Sequence, residues 1–316
     1  MIEIENLTVT YKTRSGRIRA LEDININIQN NEIFGIVGES GSGKTTLAMA
    51  IMGLLPSNGF VESGTIKING KDVLKLGPEM ARRIRGRIVS LVFQGAMNTL
   101  NPLMKIEDQV AEPILIHGTA NREEAIKKAR NTLELMGLDS FTWKKYPHEL
   151  SGGMKQRAVI ATAMIMDPST IIADEPSTAL DVITQAQIMN ILKDLQRAAG
   201  ITVIFISHDL PLVSEMADRI MILYGGRPAE IGLNKQIMEN SGHPYAKGLI
   251  NSVPSIERRL KPIAIPGEPV NIKDPPPGCR FKPRCPIAIE SCESYDYVPK
   301  EPEKDHLVFC KMYGAE

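Results

Sequence analysis

Residues 38–46 read Gly-Glu-Ser-Gly-Ser-Gly-Lys-Thr-Thr, a glycine-rich stretch that ends in a lysine and two threonines. It fits the pattern G-x-x-x-x-G-K-[ST], in which glycines let successive backbone N–H groups face one anion. A continuous apolar run, Glu32–Val37, precedes it, and a helical stretch, Thr45–Leu55, follows it. A buried strand that leads through a glycine-rich turn into a helix is the setting that a phosphate-binding loop requires. The sequence therefore predicts a site for nucleotide phosphates.

The side chains of this loop have separate predicted roles. Lys44 is expected to reach the β- and γ-phosphates, and the Thr45 hydroxyl is expected to ligate Mg²⁺. The other predicted contacts in the loop are Gly38, Ser40, Gly41, Gly43 and Thr46.

A second candidate segment is an apolar strand, Thr170–Ala173, that ends in Asp174 and Glu175. Two acids at a strand end are common at protein surfaces. Beside a phosphate loop, however, they indicate a Mg²⁺ ligand, Asp174, and a residue that polarises the attacking water, Glu175.

The rest of the chain predicts the fold class. Short strands come first, where Ile2 and Ile4 alternate with polar residues. Helical spacing dominates from about Gln94 to Met166, and strands and helices alternate afterwards. The residues at helical spacing are Ala125, Ile126, Ala129, Leu133 and Met136. We predict an α/β P-loop NTPase: a RecA-like core, a β-rich N-terminal subdomain, a helical insertion at about 95–160 and a small irregular C-terminal cysteine subdomain. Of the 21 prolines, 12 lie between Pro244 and Pro302, and Pro254–Pro277 is expected to form an extended connector. The predicted domains are therefore 1–240 and 241–316.

Composition excludes several classes of protein. Hydrophobic content of 43% indicates a folded chain rather than a disordered one. Lys plus Arg and Asp plus Glu both number 37, which argues against a main role in binding nucleic acid. We see no signal peptide and no run of about 18 apolar residues that could span a bilayer, so we expect a chain that stays in the cytoplasm.

The segment Leu150-Ser-Gly-Gly-Met-Lys-Gln-Arg157 distinguishes this chain from a generic P-loop protein. Ser151 is a natural N-cap, and Gly152 and Gly153 expose backbone N–H groups at the start of a helix. The sequence thus predicts a second anion site that is not contiguous with the first.

This string resembles the signature motif of ABC ATPases, and the family's other motifs follow in order over residues 1 to about 235. Gln94 resembles the Q-loop glutamine, Ser177–Asp181 resembles the D-loop, and His208 resembles the switch histidine. Tyr11 lies where the family carries an aromatic residue that stacks on adenine. One departure is Gly95-Ala96, where many relatives have an acid and a proline, so contacts to a membrane partner are expected to differ there.

The resemblance implies a mechanism and a set of partners. Two such subunits, here with a paralogue expected as the second, would close head to tail on ATP and Mg²⁺ and move transmembrane permease subunits. An extracytoplasmic substrate-binding protein would take part indirectly, and the chain would lie on the cytoplasmic face of the membrane. Implied ATP and Mg²⁺ contacts are Lys44, Thr45, Gln94 and Asp174; Glu175 would orient water and His208 would contact the γ-phosphate. Ser151, Gly152 and Gly153 of the signature motif would complete the nucleotide site of the partner subunit. Asp181 of the D-loop is also expected to contact nucleotide.

Four cysteines, Cys279, Cys285, Cys292 and Cys310, are spaced C-x₅-C-x₆-C-x₁₇-C. Disulfides are rare in cytoplasmic proteins, and inert thiols would not concentrate in one segment. The spacing matches neither the usual zinc pairs nor the standard ferredoxin frameworks, so zinc and an iron–sulfur cluster both remain open on spacing alone.

A resemblance in the C-terminal part of the sequence favours the iron–sulfur cluster over zinc. His243–Leu249, Ile265–Pro269 and Gly278–Pro286 resemble the C-terminal extension of dipeptide and oligopeptide permease ATPases. In that group the four cysteines look like ligands of a 4Fe-4S cluster, with His306 as the only nearby rival to Cys310. The resulting hypothesis is the ATP-hydrolysing motor of a peptide importer. The competing hypothesis is a nucleic-acid-handling ABC ATPase with a structural zinc site.

Overall fold

A computed structural model of the chain describes residues 1–178, 180–252 and 264–314. They form two compact units: the first comprises Met1–Gln29, Ile33–Leu74 and Phe205–Glu316, and the second comprises Asn30–Glu32 and Lys75–Ile204. Part of the expected connector, residues 253–263, lies outside the described residues, as does Ala179 of the predicted D-loop.

The described residues contain twelve strands and ten α-helices. The strands are β1 (Ile2–Thr13), β2 (Gly16–Ile28), β3 (Ile33–Val37), β4 (Gly59–Ile68), β5 (Lys71–Asp72), β6 (Val89–Val92), β7 (Thr170–Asp174), β8 (Thr202–Ser207), β9 (Arg219–Tyr224), β10 (Arg227–Leu233), β11 (Lys300–Glu303) and β12 (His306–Val308). The helices are α1 (Lys44–Ile51), α2 (Pro78–Ile84), α3 (Ile106–Ile116), α4 (Arg122–Leu135), α5 (Ser140–Trp143), α6 (Gly152–Met164), α7 (Val182–Ala199), α8 (Leu210–Met216), α9 (Asn234–Asn240) and α10 (Pro244–Asn251).

The N-terminal part of the first unit is an antiparallel sheet in the order β2-β1-β4-β5. Ile2 lies opposite Ile28 on β2 and Ile68 on β4, and Ile4 lies opposite Ile26. These isoleucines are buried. Because side chains alternate between the faces of a strand, this register places one apolar row in the core. The predicted β-rich N-terminal subdomain is confirmed.

The rest of the first unit is built around β3, which is buried along its whole length. β3 pairs in parallel with β9, β9 pairs antiparallel with β10, and β10 pairs antiparallel with β12, which also pairs with β11. The predicted order of buried strand, glycine-rich loop and helix is confirmed. Helix α1 ends at Ile51, four residues earlier than expected, and Gly53 follows with a left-handed φ of 59°.

The second unit contains the parallel pair β6 and β7 and the helices α2 to α7. Helix α4 begins with a capping box between Asn121 and Glu124. Its apolar stripe of Ala125, Ala129 and Leu133 is fully buried, as the helical spacing predicts. Strand β8 begins in this unit and ends in the first.

Residues 264–314 hold only short elements: β11, β12 and the 3₁₀ turns Lys282–Arg284 and Glu290–Ser294. The predicted irregular character of the cysteine segment is confirmed. These residues belong to the first unit, where Glu230 and Ile231 of β10 lie opposite Val308 and Leu307 of β12. A domain boundary near residue 240 stays a prediction. Within the described part of the chain, no helix has the length and apolar character needed to cross a bilayer.

Candidate nucleotide-binding residues

The phosphate loop of the first unit joins β3 to α1. Gly43 is the N-cap of α1, and no side chain caps its first N–H groups. Gly43 has a φ of 106°, and a Cβ added there would lie 2.8 Å from the carbonyl oxygen of Ala20. Only glycine therefore fits this position. The uncapped N–H groups and the partial positive charge of the helix end suit an anion.

Two polar side chains of the loop, those of Lys44 and Ser42, are buried. The ammonium of Lys44, which is 6% exposed, donates to the carbonyl oxygens of Gly38 at 2.7 Å and Glu39 at 3.0 Å. The Ser42 hydroxyl is buried and has no hydrogen-bond partner among the described residues. A buried polar atom in that state is costly unless a ligand or water satisfies it. These features fit the phosphates of a nucleotide.

Tyr11 on β1 lies beside the same loop. Its hydroxyl is 3.2 Å from the Thr46 hydroxyl, and its ring is half-buried. The other predicted loop residues, Ser40, Gly41 and Thr45, range from exposed to half-buried. The structure thus brings the predicted aromatic residue to the phosphate loop, although their positions in the sequence are far apart.

In the second unit, β7 ends at Asp174, which is 1% exposed. A carboxylate at this place supplies the oxygen ligand that Mg²⁺ prefers. Glu175 follows in the left-handed region with a φ of 48°. It accepts hydrogen bonds from Gln94 Nε2 at 2.9 Å and from Thr178 Oγ1 at 3.0 Å. Non-glycine residues in this region are strained and concentrate at functional sites.

The signature-like segment begins α6 in the second unit. Ser151 is the N-cap, and its hydroxyl accepts from the backbone N–H of Met154 at 3.3 Å. Ser151 and Gly152 are exposed, whereas Gly153 is buried. A Cβ on Gly153 would lie 2.4 Å from Thr184 Cγ2 of α7. Close packing of two helices is therefore one reason for glycine at this position.

Asp181 and His208 occupy the starts of two helices. Asp181 caps α7: its two carboxylate oxygens accept from the N–H of Thr184 at 2.9 Å and from the Thr184 hydroxyl at 2.7 Å. These bonds to Thr184 hold the pKa of Asp181 below its usual value. His208, in the first unit, follows β8 and is exposed. The next residue, Asp209, caps α8.

The four cysteines lie in one segment of the first unit. Cys292 and Cys310 are buried, and Cys279 and Cys285 are half-buried. Burial, with a smaller contribution from the charges of the other three cysteines, raises the pKa of the Cys279 thiol to about 11. No group of three or more His, Cys, Asp or Glu side chains in the described residues is arranged to hold a metal ion.

Sequence reasoning missed two clusters that join the C-terminal segment to the rest of the first unit. In one, Arg284 donates to Glu39 of the phosphate loop at 2.8 Å. In the other, the buried Glu230 is hydrogen-bonded to His306 Nε2 at 2.7 Å. His306, the alternative to Cys310 as a cluster ligand, is therefore bonded to a carboxylate. Neither pair leaves a local signal, because the partners are 245 and 76 positions apart in the chain.

Comparison with known proteins assigns the family. Residues 21–178 match the family described as ABC transporter, and residues 229–292 match the one described as oligopeptide/dipeptide transporter, C-terminal region. The fold and the motif residues above agree with this match. The chain belongs to the ABC transporter family and is an ATPase of the ABC type.

Within that family, the similarity is to peptide-transport ATPases. The chain is 42% identical over 299 residues to the dipeptide transport ATP-binding protein DppD of Bacillus subtilis, covering 93% of this chain and 89% of that one. It is 39% identical over 297 residues to the oligopeptide transport ATP-binding protein OppD of Escherichia coli, covering 93% and 88%. These similarities favour the transport hypothesis over the nucleic-acid hypothesis.

The fold is shared with a solved cassette, the dimeric structure of MJ0796, a bacterial ABC transporter cassette. That structure superposes with a TM-score of 0.67 at 33% identity, covering 74% of this chain and 99% of that one. The predicted P-loop NTPase fold is confirmed.

Proposed function

We propose that this chain is the ATP-binding and ATP-hydrolysing subunit of an importer for dipeptides or oligopeptides. The observation that carries this proposal is its identity of about 40% to dipeptide and oligopeptide transport ATP-binding proteins over 93% of its length. The match of residues 229–292 to the C-terminal region of such transporters supports the same substrate class.

The proposed site residues divide by role. In the first unit, ATP would be bound by Tyr11, Gly38, Ser40, Gly41, Gly43, Lys44, Thr45 and Thr46. Thr45, Gln94 and Asp174 would hold Mg²⁺, which when bound neutralises charge on the phosphates. Ser151, Gly152, Gly153 and Asp181 would serve the nucleotide of a second ATPase subunit, and His208 would contact the γ-phosphate.

Glu175 is the proposed residue that orients the attacking water. Its left-handed backbone and its hydrogen bonds to Gln94 and Thr178 fix the carboxylate in one position. A base or water-orienting group must be held within hydrogen-bond reach of its target, so this fixation supports the assignment.

A second ABC ATPase, here a paralogue, is the proposed partner in a head-to-tail dimer. The dimeric state of the similar MJ0796 cassette supports dimer formation. We also propose a peripheral position on the cytoplasmic face of the membrane, against transmembrane permease subunits that receive substrate from an extracytoplasmic binding protein.

A groove in the second unit supports the permease partner. It has a volume of about 620 Å³ and is lined in part by Leu103, Leu115 and Ile116. Leu103 is 85% exposed and Ile116 is 54% exposed. Grouped exposed apolar side chains indicate a protein-binding surface.

The test is peptide uptake by proteoliposomes that contain the complete transporter. Glu175→Gln should reduce ATP turnover and uptake about 100-fold or more while ATP still binds, because only the water-orienting carboxylate is lost. Glu134→Gln, an equivalent change at an exposed position on α4, is the matched control and should leave both rates unchanged. Uptake of another solute class in place of peptides would contradict the proposed substrate.

We further propose that Cys279, Cys285, Cys292 and Cys310 ligate a 4Fe-4S cluster. Support comes from the concentration of all four cysteines in one segment, where Cys292 and Cys310 are buried and Cys279 and Cys285 are half-buried. Ligation of a cluster requires the four thiols to lose their protons. Anaerobic purification followed by iron, zinc and acid-labile sulfide analysis tests this. About four irons and four sulfides per chain are expected, and stoichiometric zinc without sulfide would contradict the cluster.

A further inference from the structure

Two residues from the part of the chain after residue 240 bind Glu39, the second residue of the phosphate loop. Arg284 Nη1 donates to Glu39 Oε2 at 2.8 Å. The backbone N–H of Glu39 donates to the hydroxyl of Tyr245 on α10 at 3.1 Å. Both the side chain and the backbone of Glu39 are therefore fixed by residues from the region after residue 240.

Arg284 lies in a site built to hold its guanidinium in one orientation. The side chain is 5% exposed, and its Nε donates to the carbonyl oxygen of Pro266 at 2.8 Å. The Tyr224 hydroxyl lies 3.3 Å from Nη1, and the rings of Tyr224 and Phe281 lie 5.8 and 5.9 Å from the guanidinium carbon. A buried cation is stable only when paired, and the carboxylate of Glu39 is the anion that pairs with it.

This ion pair matters because of where Glu39 lies. A carboxylate in a loop that receives a triphosphate repels the incoming anion unless a cation balances it. Glu39 also presents its carbonyl oxygen to Lys44 Nζ at 3.0 Å, so its orientation affects the lysine that the phosphates require. Through its contact with Glu39, Arg284 acts both on the negative charge of the loop and on the carbonyl oxygen that binds Lys44.

We propose that Arg284 is a positioning residue for nucleotide binding, which neutralises and orients Glu39 and thereby holds the phosphate loop ready for ATP. The inference rests on the proposed role of residues 38–46 in binding ATP. It gives the C-terminal segment a part in nucleotide affinity in addition to any metal that it carries.

The test is isothermal titration of the purified full-length chain with Mg·ATP. Arg284→Met should raise the Kd about tenfold, since it leaves the Glu39 carboxylate without its buried cation. Glu39→Gln should leave the Kd unchanged or lower it, because it removes a negative charge from the loop. The double variant should return to within about threefold of the wild-type Kd.

Weaker binding by Arg284→Met without weaker binding by Glu39→Gln separates this charge effect from a merely structural one, because distortion of the loop would weaken binding in both variants. Arg284→Lys keeps the charge and should stay within about threefold of the wild-type Kd. Lys282→Met is the matched control: it removes a positive charge two residues away that pairs with Glu293 in the cysteine segment, and it should leave affinity unchanged.

Three results would overturn the inference: normal binding by Arg284→Met, weaker binding by Glu39→Gln, or no recovery of affinity in the double variant. The Glu39→Gln result stands even if Arg284→Met fails to fold. Lys44→Ala tests the proposed function separately. If Lys44→Ala leaves ATP binding unchanged, the assignment of the loop fails. If it abolishes binding while Arg284→Met binds normally, only the role of Arg284 fails.

Discussion

The buried carboxylate of Glu230 offers a sharp test of what holds the C-terminal segment to the first unit. Glu230 has no exposed surface, and its two oxygens accept four hydrogen bonds. Oε2 accepts from the Ser241 hydroxyl at 2.8 Å and the backbone N–H of His243 at 2.8 Å. Oε1 accepts from the backbone N–H of Gly242 at 2.9 Å and is bonded to His306 Nε2 at 2.7 Å.

Glu230→Gln keeps the shape of the side chain but replaces one acceptor oxygen with an NH₂ donor. The Ser241 hydroxyl can rotate, and the His306 ring can change tautomer, so both can adapt to a donor. A backbone N–H cannot adapt. In either orientation of the amide, the N–H of Gly242 or of His243 therefore faces another donor in a dry site. We expect the free energy of unfolding to fall by about 3–5 kcal/mol.

Guanidinium unfolding of the full-length chain, followed by circular dichroism, measures this change, and the fluorescence of Trp143 marks the transition of the second unit. Ser241→Ala is the graded control: it removes one donor, leaves the carboxylate intact, and should cost only about 1 kcal/mol. Because the chain has two compact units, the midpoint and slope of each transition should be fitted separately. A loss below about 1 kcal/mol for Glu230→Gln would refute the hydrogen-bond argument.

Three further predictions follow from single contacts. Gly153→Ala should lower the free energy of unfolding by about 1–3 kcal/mol, because the added Cβ would lie 2.4 Å from Thr184 Cγ2. Thr184→Ser removes that methyl group and should restore the melting temperature of the Gly153→Ala variant. Failure to restore it would contradict the packing explanation. Burial lowers the pKa of His243 from 6.5 to about 3, so the unfolded chain takes up a proton that the folded chain refuses, and stability should fall by about 1.4 kcal/mol between pH 7.5 and 5.5. His243→Asn should remove that component of the pH dependence in urea titrations, and an unchanged profile would argue against it. Tyr11→Phe should bind ATP nearly as the wild type does, whereas Tyr11→Ala should raise the Kd at least fivefold through lost stacking on the base; equal effects would instead implicate the hydroxyl contact to Thr46.

Local patterns were sufficient to predict much of the fold. Alternation of Ile2 and Ile4 predicted β1, helical spacing of Ala125, Ala129 and Leu133 predicted α4, and both have the expected buried faces. These predictions succeed because burial of a strand or helix face is encoded within a few neighbouring residues. Residue patterns also selected the phosphate loop and Glu175 as candidates, since their residue types are set by backbone geometry and charge.

Long-range pairing was not predictable in the same way. Glu230 lies in β10 and is fully buried, because three residues that follow α9 and His306 on β12 supply its hydrogen-bond donors. The strained φ of Glu175 was also invisible, since the sequence shows the residue but not its backbone conformation.

The cysteine segment shows how such pairings link parts of the chain that look independent in the sequence. Arg280 directly follows Cys279 and binds Glu22 and the carbonyl oxygen of Gly225, while the neighbouring Gly226 N–H donates to Ser42 O in the phosphate loop. Arg284 directly precedes Cys285 and binds the same loop. Two arginines beside two cysteines thus connect the segment to residues that surround the nucleotide loop. Because both arginines are buried and paired, disorder in the cysteine segment would remove the arginine that pairs with Glu39 and one of the three arginines that pair with Glu22. Order in this segment and order in the phosphate loop are therefore coupled through the ion pair of Arg284 and Glu39.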